Sequence, residues 1–535
     1  MSIIDNLNEE QQEALKATDG AILVTAGAGT GKTRLLTHRI AYMIQDLHID
    51  PYNILAITFT NKAANEMKTR VENLVDGGSR VWISTFHSMC VKILRRDIDK
   101  LGGVYDKNFT IFSDTDTDKL VKEILKELGI KEETKHFTFH ISNMKNNNMS
   151  LPTYAKEIEW QKDAQTTIKV ITMYENKKAE CNALDFDDLL YKTYELLSKN
   201  QEVLDYYTNR FEYILVDEFQ DTNKIQYELT KLLASKHKNL FVVGDEDQSI
   251  YSWRGADFTN IFNITKDYDN SKMFKLQQNY RCTKNILAAA NRLIANNTQR
   301  FDKKLWSDKD DGDEIDYKKY YDEKEEADMV ASKIYSLVKN YGYKYSDIAV
   351  LLRVSAITLP FEEKLLTYNI PHKIYGAFKF FERAEIKNVL AYLRIFCNPK
   401  DEVSLLRIIN FPKRGIGDGA ISELRQVAEK NNITLLEAIL NIESFNNANL
   451  IKKFQEFSCI YKELQQDYQT QSLDDFVYYL LEKFKILESY NTADEDENDK
   501  VLNIDQLKGN IHDFCRVNSG ATLADYLENI TLMSD

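Results

Sequence analysis

Proline is scarce in this chain, six in 535 residues, so no long stiff linker is expected. Cysteine is equally scarce. Cys90, Cys181, Cys282, Cys397, Cys459 and Cys515 lie far apart, with no C-x-x-C pair and no Cys/His cluster. Zinc and iron–sulfur sites are therefore not expected, and buried reduced thiols are the better reading. No apolar run nears the roughly eighteen residues that cross a bilayer. Residues 1–8 have neither the basic nor the apolar stretch of a secretory signal, so the expectation is a cytoplasmic protein with no membrane partner. There is no internal repeat and no low-complexity tract. A basic excess is also missing: 69 Lys and Arg stand against 83 Asp and Glu, a formal charge of −14. That balance argues mildly against a nucleic-acid partner. A nucleic-acid track needs only a local basic lining, however, and the acidic runs at 308–314 and 494–499 read as solvated loops.

What is present is core-forming material. Hydrophobic residues make up 43 % and aromatics 11 %, enough at this length for roughly three or four domains. Short β-rich runs alternate with helical patterns in the first third. Residues 21–25 read as a buried strand, followed by a helix from Lys32 with Leu35, Leu36, Ile40 and Ile44 on one face. Residues 54–59 and 81–85 repeat the scheme, and 213–217 and 240–244 add two more apolar strands. Such alternation predicts a parallel sheet with helices on both faces. The rhythm stops between 107 and about 181, which reads as a helical insertion. A second βα series is expected from Lys272 (273–276, then a helix from Thr283), continuing through 347–352. From about Ala384 onward the pattern is helical with no convincing strand.

AGAGTGKT, at 26–33, lies between a strand and a helix. A loop in that position turns successive N–H groups toward one point at the positive end of the helix dipole. Small residues such as Ala28, Gly29, Thr30 and Gly31 let the backbone close on phosphates. Lys32 can reach the β- and γ-phosphates, and the Thr33 hydroxyl can ligate Mg²⁺. The usual P-loop pattern begins with Gly, whereas Ala26 stands here. Asp217 and Glu218 follow an apolar strand, as suits one carboxylate holding Mg²⁺ through water and the other polarising the attacking water. An isolated Asp-Glu pair would read as a helix cap or solvated turn. Gln11 and Gln12, by themselves, read as the exposed face of an N-terminal helix.

GDEDQSIYSWRGAD (244–257) closely resembles the third helicase motif of superfamily-1 enzymes of the UvrD/Rep/PcrA type. ILAITFTNKAANEM (54–67), ISTFHS (83–88), DEFQDTN (217–223) and QNYRC (278–282) resemble four further family blocks, in family order and spacing. YGAFKFFERAEIKNVLAYLR (375–394) looks like the block leading into the family's inserted helical subdomain. The resemblance covers essentially the whole chain. It implies an α/β fold with two RecA-like P-loop motor domains, each carrying an inserted helical subdomain. The expected order is 1–106 and 186–277 for the first motor domain, 107–185 for its insertion, 278–383 for the second motor domain and 384–535 for the second insertion. The implied activity is ATP- and Mg²⁺-dependent 3′→5′ movement on single-stranded DNA with unwinding at single/double-strand junctions. The resemblance also assigns Gln11 to the adenine edge and Arg34 and Tyr280 to a sandwich around the base. It makes Gln248 the γ-phosphate sensor and Arg281 an arginine finger reaching from the second motor domain.

Phe59, His87, Tyr251 and Trp253 are aromatic or heteroaromatic residues near strand ends or loops on the same side of the sheet, where bases can stack without sequence preference, and Arg254 can meet phosphate. A core role is a fair rival for Phe59. FPKRGIGDGAISEL (411–424) resembles the family's duplex-contacting turn, with Lys413 and Arg414 as phosphate contacts; a plain surface turn is nearly as good a reading. The family's later T-x-H-x-A-K-G-x-E block and second catalytic arginine are not found, so the second motor domain is expected to be incomplete. The alternative expectation is a chain that grips nucleotide and single-stranded DNA without productive unwinding. An ATPase unrelated to nucleic acid is a third, which the Phe59 and Trp253 blocks disfavour.

Overall fold

The structure is a computed structural model that describes residues 3–252, 255–354, 357–374, 380–445, 447–490, 495–518 and 520–533. It divides into two compact units, Met1–Gly312 with Asn388–Asp535, and Asp313–Lys387.

In the first unit, β1 (Ala21–Ala26), β2 (Ile54–Thr58), β3 (Trp82–Thr85), β6 (Tyr213–Val216), β7 (Asn239–Gly244) and β8 (Lys272–Leu276) form one sheet in the order β3-β2-β6-β7-β1-β8. Every pairing is parallel. The side-chain alternation of a strand sorts the core into two layers. Leu23, Leu55, Ile57, Ile214, Val216, Leu240 and Val242 pack on one face. Their neighbours Ile22, Val24, Ile54, Ala56, Leu215, Phe241 and Val243 pack on the other. Helix Lys32–Gln45 contributes Leu35, Leu36 and Ile40 to the second layer, and helix Phe86–Asp97 contributes Met89, Ile93 and Leu94 to the first. All residues of β1 and β2 are buried, as strands covered on both sides must be.

β8, expected to open a second sheet, is instead the edge strand beside β1, in register Ile22↔Lys272 through Ala26↔Leu276. Its sequence, KMFKL, carries two lysines, and Lys272 and Met273 are exposed. Lysine on an edge discourages further strand pairing. The same unit includes 278–312, so the loop carrying Tyr280 and Arg281 packs with the P-loop rather than across a cleft from it.

The stretch 107–185 is helical as expected, with helices Asp114–Leu128, Thr134–Asn146, Leu151–Glu157 and Ala164–Glu180 around Phe137, Tyr154, Val170 and Tyr174. Its two ends are joined by a short parallel ladder, β4 (Thr110–Phe112) with β5 (Ala183–Asp185), which was not legible in the sequence. Lys145 and Lys178, both fully buried, are enclosed there by Glu175, Asp185 and Asp188. Among the described residues after Ala384 every regular element is a helix. Asn398, buried, donates to Thr110 Oγ1 (2.9 Å) and to the Cys181 (2.8 Å) and Asn182 (3.1 Å) carbonyls, and Arg394 pairs with Asp116 at 2.9 Å. These bonds seat the C-terminal helices on the β4–β5 ladder.

The unit Asp313–Lys387 holds helices Glu323–Tyr341 and Thr358–Thr367 around a small core of Ala331, Ile334 and Ile370. The strand expected at 347–352 is not there: a 3-10 turn at Tyr345–Asp347 is followed by backbone without a ladder partner, and Leu351 is 92 % exposed. Among the described residues this unit has no strand. An apolar run alone cannot make a strand; it needs a neighbour to take its backbone hydrogen bonds.

Candidate nucleotide and nucleic-acid site

The loops that leave the carboxyl ends of β1, β2, β3, β6 and β7 all open on one edge of the sheet, where open α/β sheets bind ligands. The loop after β1 is held in a tight turn. Gly29 and Gly31 have φ of 69° and 87°, the left-handed region that glycine tolerates. Thr30 Oγ1 donates to the Gly27 carbonyl (2.8 Å). Gly31 begins helix Lys32–Gln45 with no side-chain cap, which leaves the first N–H groups of the helix for a ligand. Lys32 is buried, and its ammonium lies 3.4 Å from Glu218 Oε2. Thr33, half-buried, and Arg34, exposed, follow on the same turn.

Asp217 and Glu218 leave β6 beside the P-loop. Asp217 is buried, and burial together with the adjacent Glu218 pushes its carboxyl up to about 7, with Lys32 opposing. Its Oδ1 accepts the Glu218 N–H (3.0 Å). No cation of the described residues pairs with it, whereas Asp245 is paired with Lys303 and Asp185 with Lys145 and Lys178. A buried carboxylate with no ion-pair partner among the described residues, at a strand end beside the P-loop lysine's partner Glu218, offers the hard oxygen that Mg²⁺ takes. Glu218 has φ of 48°, unusual for a residue with a Cβ. Its side chain remains 37 % exposed, so a water can reach it.

Gln220, which sequence reasoning did not single out, joins this turn to the next. Its Nε2 donates to Glu218 Oε2 (2.9 Å) and its Oε1 accepts the Asp245 N–H (2.9 Å). Gln248 follows β7 on the 3-10 turn Glu246–Gln248, half-buried, and its amide donates to Asp245 Oδ2.

The QNYRC loop closes over the P-loop. Tyr280 N–H donates to the Gly29 carbonyl (2.9 Å) and Asn279 Nδ2 to the Ala28 carbonyl (2.6 Å). Asn279 Oδ1 accepts the N–H groups of Arg281 (2.9 Å) and Cys282 (2.7 Å). A Cβ on Gly29 would meet Arg281 Cβ and Asn279 Nδ2, both at 2.8 Å, so glycine is required there. Asn279 is thus the clamp of this loop. It stood inside a recognised block, but nothing in its type or spacing marked that role. Tyr280 and Arg281 are exposed beside the P-loop; partial burial pushes the Tyr280 phenol up, with Asn8 and the Arg34 charge opposing. Gln11 is buried: its Nε2 donates to the Thr30 carbonyl (2.9 Å) and its Oε1 accepts the Asn8 N–H (3.2 Å). In this structure Gln11 therefore braces the P-loop, and it is not the exposed helix face that its isolated sequence suggested.

On the β2–β3 side of the same edge, Phe59 and Tyr251 lie with ring centroids 4.7 Å apart, both half-buried. His87 meets Phe186 edge-on at 5.8 Å. Helices Asn61–Leu74 and Phe86–Asp97 start here, capped by Thr60 and Thr85, and Ser88 Oγ donates to Asn61 Oδ1 (3.3 Å) between them. Trp253 and Arg254 lie outside the described residues.

The turn at 411–424 needs a correction. Lys413 is exposed, but Arg414 points inward: it donates to the Ile408 (3.0 Å), Ile409 (3.2 Å) and Phe411 (3.0 Å) carbonyls and to Tyr392 Oη (2.7 Å). Its guanidinium satisfies carbonyls at a helix end, a use that sequence cannot separate from phosphate binding.

A P-loop at the first strand of a parallel sheet, with an acidic pair at a nearby strand end, defines a nucleotide hydrolase on a RecA-like scaffold. Comparison with known proteins makes this specific. Residues 7–269 match the model for the UvrD/REP helicase N-terminal domain, and residues 274–535 that for the UvrD-like helicase C-terminal domain. The chain belongs to the UvrD/REP helicase family. It is 42 % identical over 544 positions to an ATP-dependent DNA helicase PcrA of Staphylococcus aureus strain Mu50, covering 100 % of this chain and 74 % of that relative. The PcrA of Staphylococcus epidermidis strain ATCC 12228 is 46 % identical over 468 positions, 87 % of this chain and 63 % of its own length. Among the described residues no helix is long and apolar enough to cross a membrane.

Proposed function

We propose that the chain works as an ATP-dependent DNA helicase that moves 3′→5′ along single-stranded DNA and separates duplex ahead of it, in DNA repair or replication. Cytoplasmic location goes with that reading. Supporting it most directly is one shared edge: Lys32, Asp217, Glu218 and Gln248 lie at the ends of β1, β6 and β7, and Phe59, Tyr251 and His87 at the β2–β3 end.

In this mechanism the P-loop N–H groups and Lys32 take the phosphates. Thr33 and Asp217 would hold Mg²⁺, which would supply charge neutralisation to the phosphate oxygens. Glu218 accepts the proton of the attacking water, Gln248 reads the γ-phosphate, and Arg281 stabilises the charge of the transferring group. Arginines in that role are worth about 10³–10⁵ in rate in other NTPases. Arg34 and Tyr280 flank the base, while Gln11 holds the P-loop at its edge. Stacking on Phe59, Tyr251, His87 and Trp253 carries the DNA strand, with Arg254 and Lys413 as phosphate contacts. Residues 107–185 and 384–535 act as helical insertions in the two motor halves.

The experiment is ATP hydrolysis with and without single-stranded DNA, together with strand separation on a duplex with a 3′ single-stranded tail. Hydrolysis that DNA does not stimulate would refute the reading. A second reading, that the chain binds nucleotide and DNA without unwinding, draws on the small core of Asp313–Lys387. It predicts tight DNA binding with no strand separation in the same assay.

A further inference from the structure

The turn after β7 carries three consecutive acids, Asp245, Glu246 and Asp247, at a depth where bare carboxylates are costly. A single lysine from a distant segment reaches all three. Lys303 Nζ lies 2.6 Å from Asp245 Oδ1, 2.7 Å from Glu246 Oε1 and 3.5 Å from Asp247 Oδ2, and it donates to Thr25 Oγ1 on β1 (3.4 Å). The Lys303 side chain is only 2 % exposed. Burial opposes its charge, but Asp245 and Glu246 outweigh burial and raise its pKa above the ordinary lysine value. Arg300 completes the enclosure with a two-pronged contact on Asp247 Oδ2 (3.0 and 2.8 Å).

The Asp245 carboxylate is divided between two partners. Oδ1 faces Lys303, and Oδ2 accepts the Gln248 amide. A carboxylate pinned on one oxygen presents the other in a fixed direction. We infer that Lys303 is a positioning residue for nucleotide sensing: through Asp245 it holds the Gln248 amide where the γ-phosphate is read. The inference rests on the role given to Gln248 above.

The segment that supplies Lys303 also laces the other nucleotide loops together. Leu305 packs where a Cβ on Gly27 would stand. Trp306 donates to the Gln277 carbonyl (3.1 Å) and accepts the Asn279 N–H (2.7 Å). Ser307 Oγ donates to the Cys282 carbonyl (3.1 Å) and Lys309 Nζ to the Arg281 carbonyl (2.7 Å). One continuous strap, 300–309, thus fixes the sensor turn, the P-loop and the Arg281 loop. Lys303 is its only ammonium in contact with the sensor turn among the described residues. Its action on Gln248 is a hydrogen-bonded relay, with no contact to nucleotide required.

The test uses the 535-residue chain and measures affinity for ATPγS and for ADP, each with Mg²⁺, by fluorescence titration. Lys303→Met should lower the preference for ATPγS over ADP about five- to tenfold, with ADP affinity within about twofold of wild type. Gln248→Ala should lower it similarly, and the double variant should fall less than about twofold beyond Gln248→Ala, because the two residues act in series. Lys303→Arg should keep most of the preference. If Lys303→Met does not fold, Lys303→Met/Glu246→Gln relieves the unbalanced charge and carries the same measurement. A wild-type preference in the lysine variant that folds, or losses that add fully with Gln248→Ala, would overturn the inference and leave the helicase reading standing. A wild-type chain that itself fails to prefer ATPγS would overturn the role of Gln248 and this inference together.

Discussion

At the β1–β6–β7 half of the sheet edge, the polar side chains are already held by one another. Lys32 meets Glu218, Gln220 spans Glu218 and the Asp245 backbone, Asn279 clamps the P-loop, and Lys303 sits inside three carboxylates. At the β2–β3 half, the candidate ligands are half-buried rings, Phe59 on Tyr251 and His87 on Phe186. The contrast follows from the two chemistries. Phosphoryl transfer depends on charges placed before the substrate arrives, since the gain comes from dipoles that need not reorganise. A strand that must slide needs faces that accept any base, and stacking supplies that.

The largest expected effect lies on the prearranged half. Glu218→Gln should keep nucleotide binding and lower hydrolysis about 10²–10⁴-fold, since an amide cannot take a proton from water. Lys32→Ala should lose binding as well. Near-normal turnover by purified Glu218→Gln protein would remove the proposed base. Next comes Asn279→Ala, which strips the Ala28 carbonyl and two N–H groups of their partner. Urea unfolding should show a loss of about 2–3 kcal/mol, with a lower kcat from a loosened Arg281. Unchanged stability would mean that water replaces the clamp and that the nucleotide half is less prearranged than drawn.

On the other half, Phe59→Ala should weaken single-stranded DNA binding by about 1–3 kcal/mol and leave DNA-free nucleotide binding alone. Affinity should also fall steeply with added salt, because phosphate contacts release counterions. An unchanged titration would make Phe59 a core residue and blur the comparison.

The smallest expected effect is a pH dependence confined to the nucleotide half. Burial, with Glu218 adding to it, raises Asp221 from 3.8 to about 6. The folded chain thus holds that proton more tightly than the unfolded one. The resulting stability is fully present below about pH 4 and lost as pH rises through about 6. Asp221→Asn, which mimics the protonated form, should gain about 1 kcal/mol on wild type between pH 4 and 7, a figure reduced for solvent screening. Thermal melts of the two proteins that run parallel across this range would contradict it.

Much of this edge was legible beforehand. The strands at 21–25, 54–59, 81–85, 213–217 and 240–244 needed only apolar runs followed by turn or helix signals, and the structure places all five within a residue or two of those bounds. The P-loop and acidic pair were legible for the same local reason. Other features were not. The β4–β5 ladder consists of three-residue strands more than 70 residues apart, too short for a periodic signal. Gln220 and Lys303 belong to no pattern, because their importance lies in what surrounds them.

The sequence by itself determined the order of chemical groups along the chain, the alternation that makes a parallel sheet, and the family. These depend on residues within a few positions of one another, where backbone sterics and side-chain period act directly. Tertiary structure alone decided that β8 closes the first sheet, that Arg414 turns inward, and that Asp245 receives a lysine while Asp217 does not. Each of those outcomes is fixed by which groups lose water together, and burial brings together groups that sequence keeps far apart: Lys303 reaches Thr25 across 278 positions.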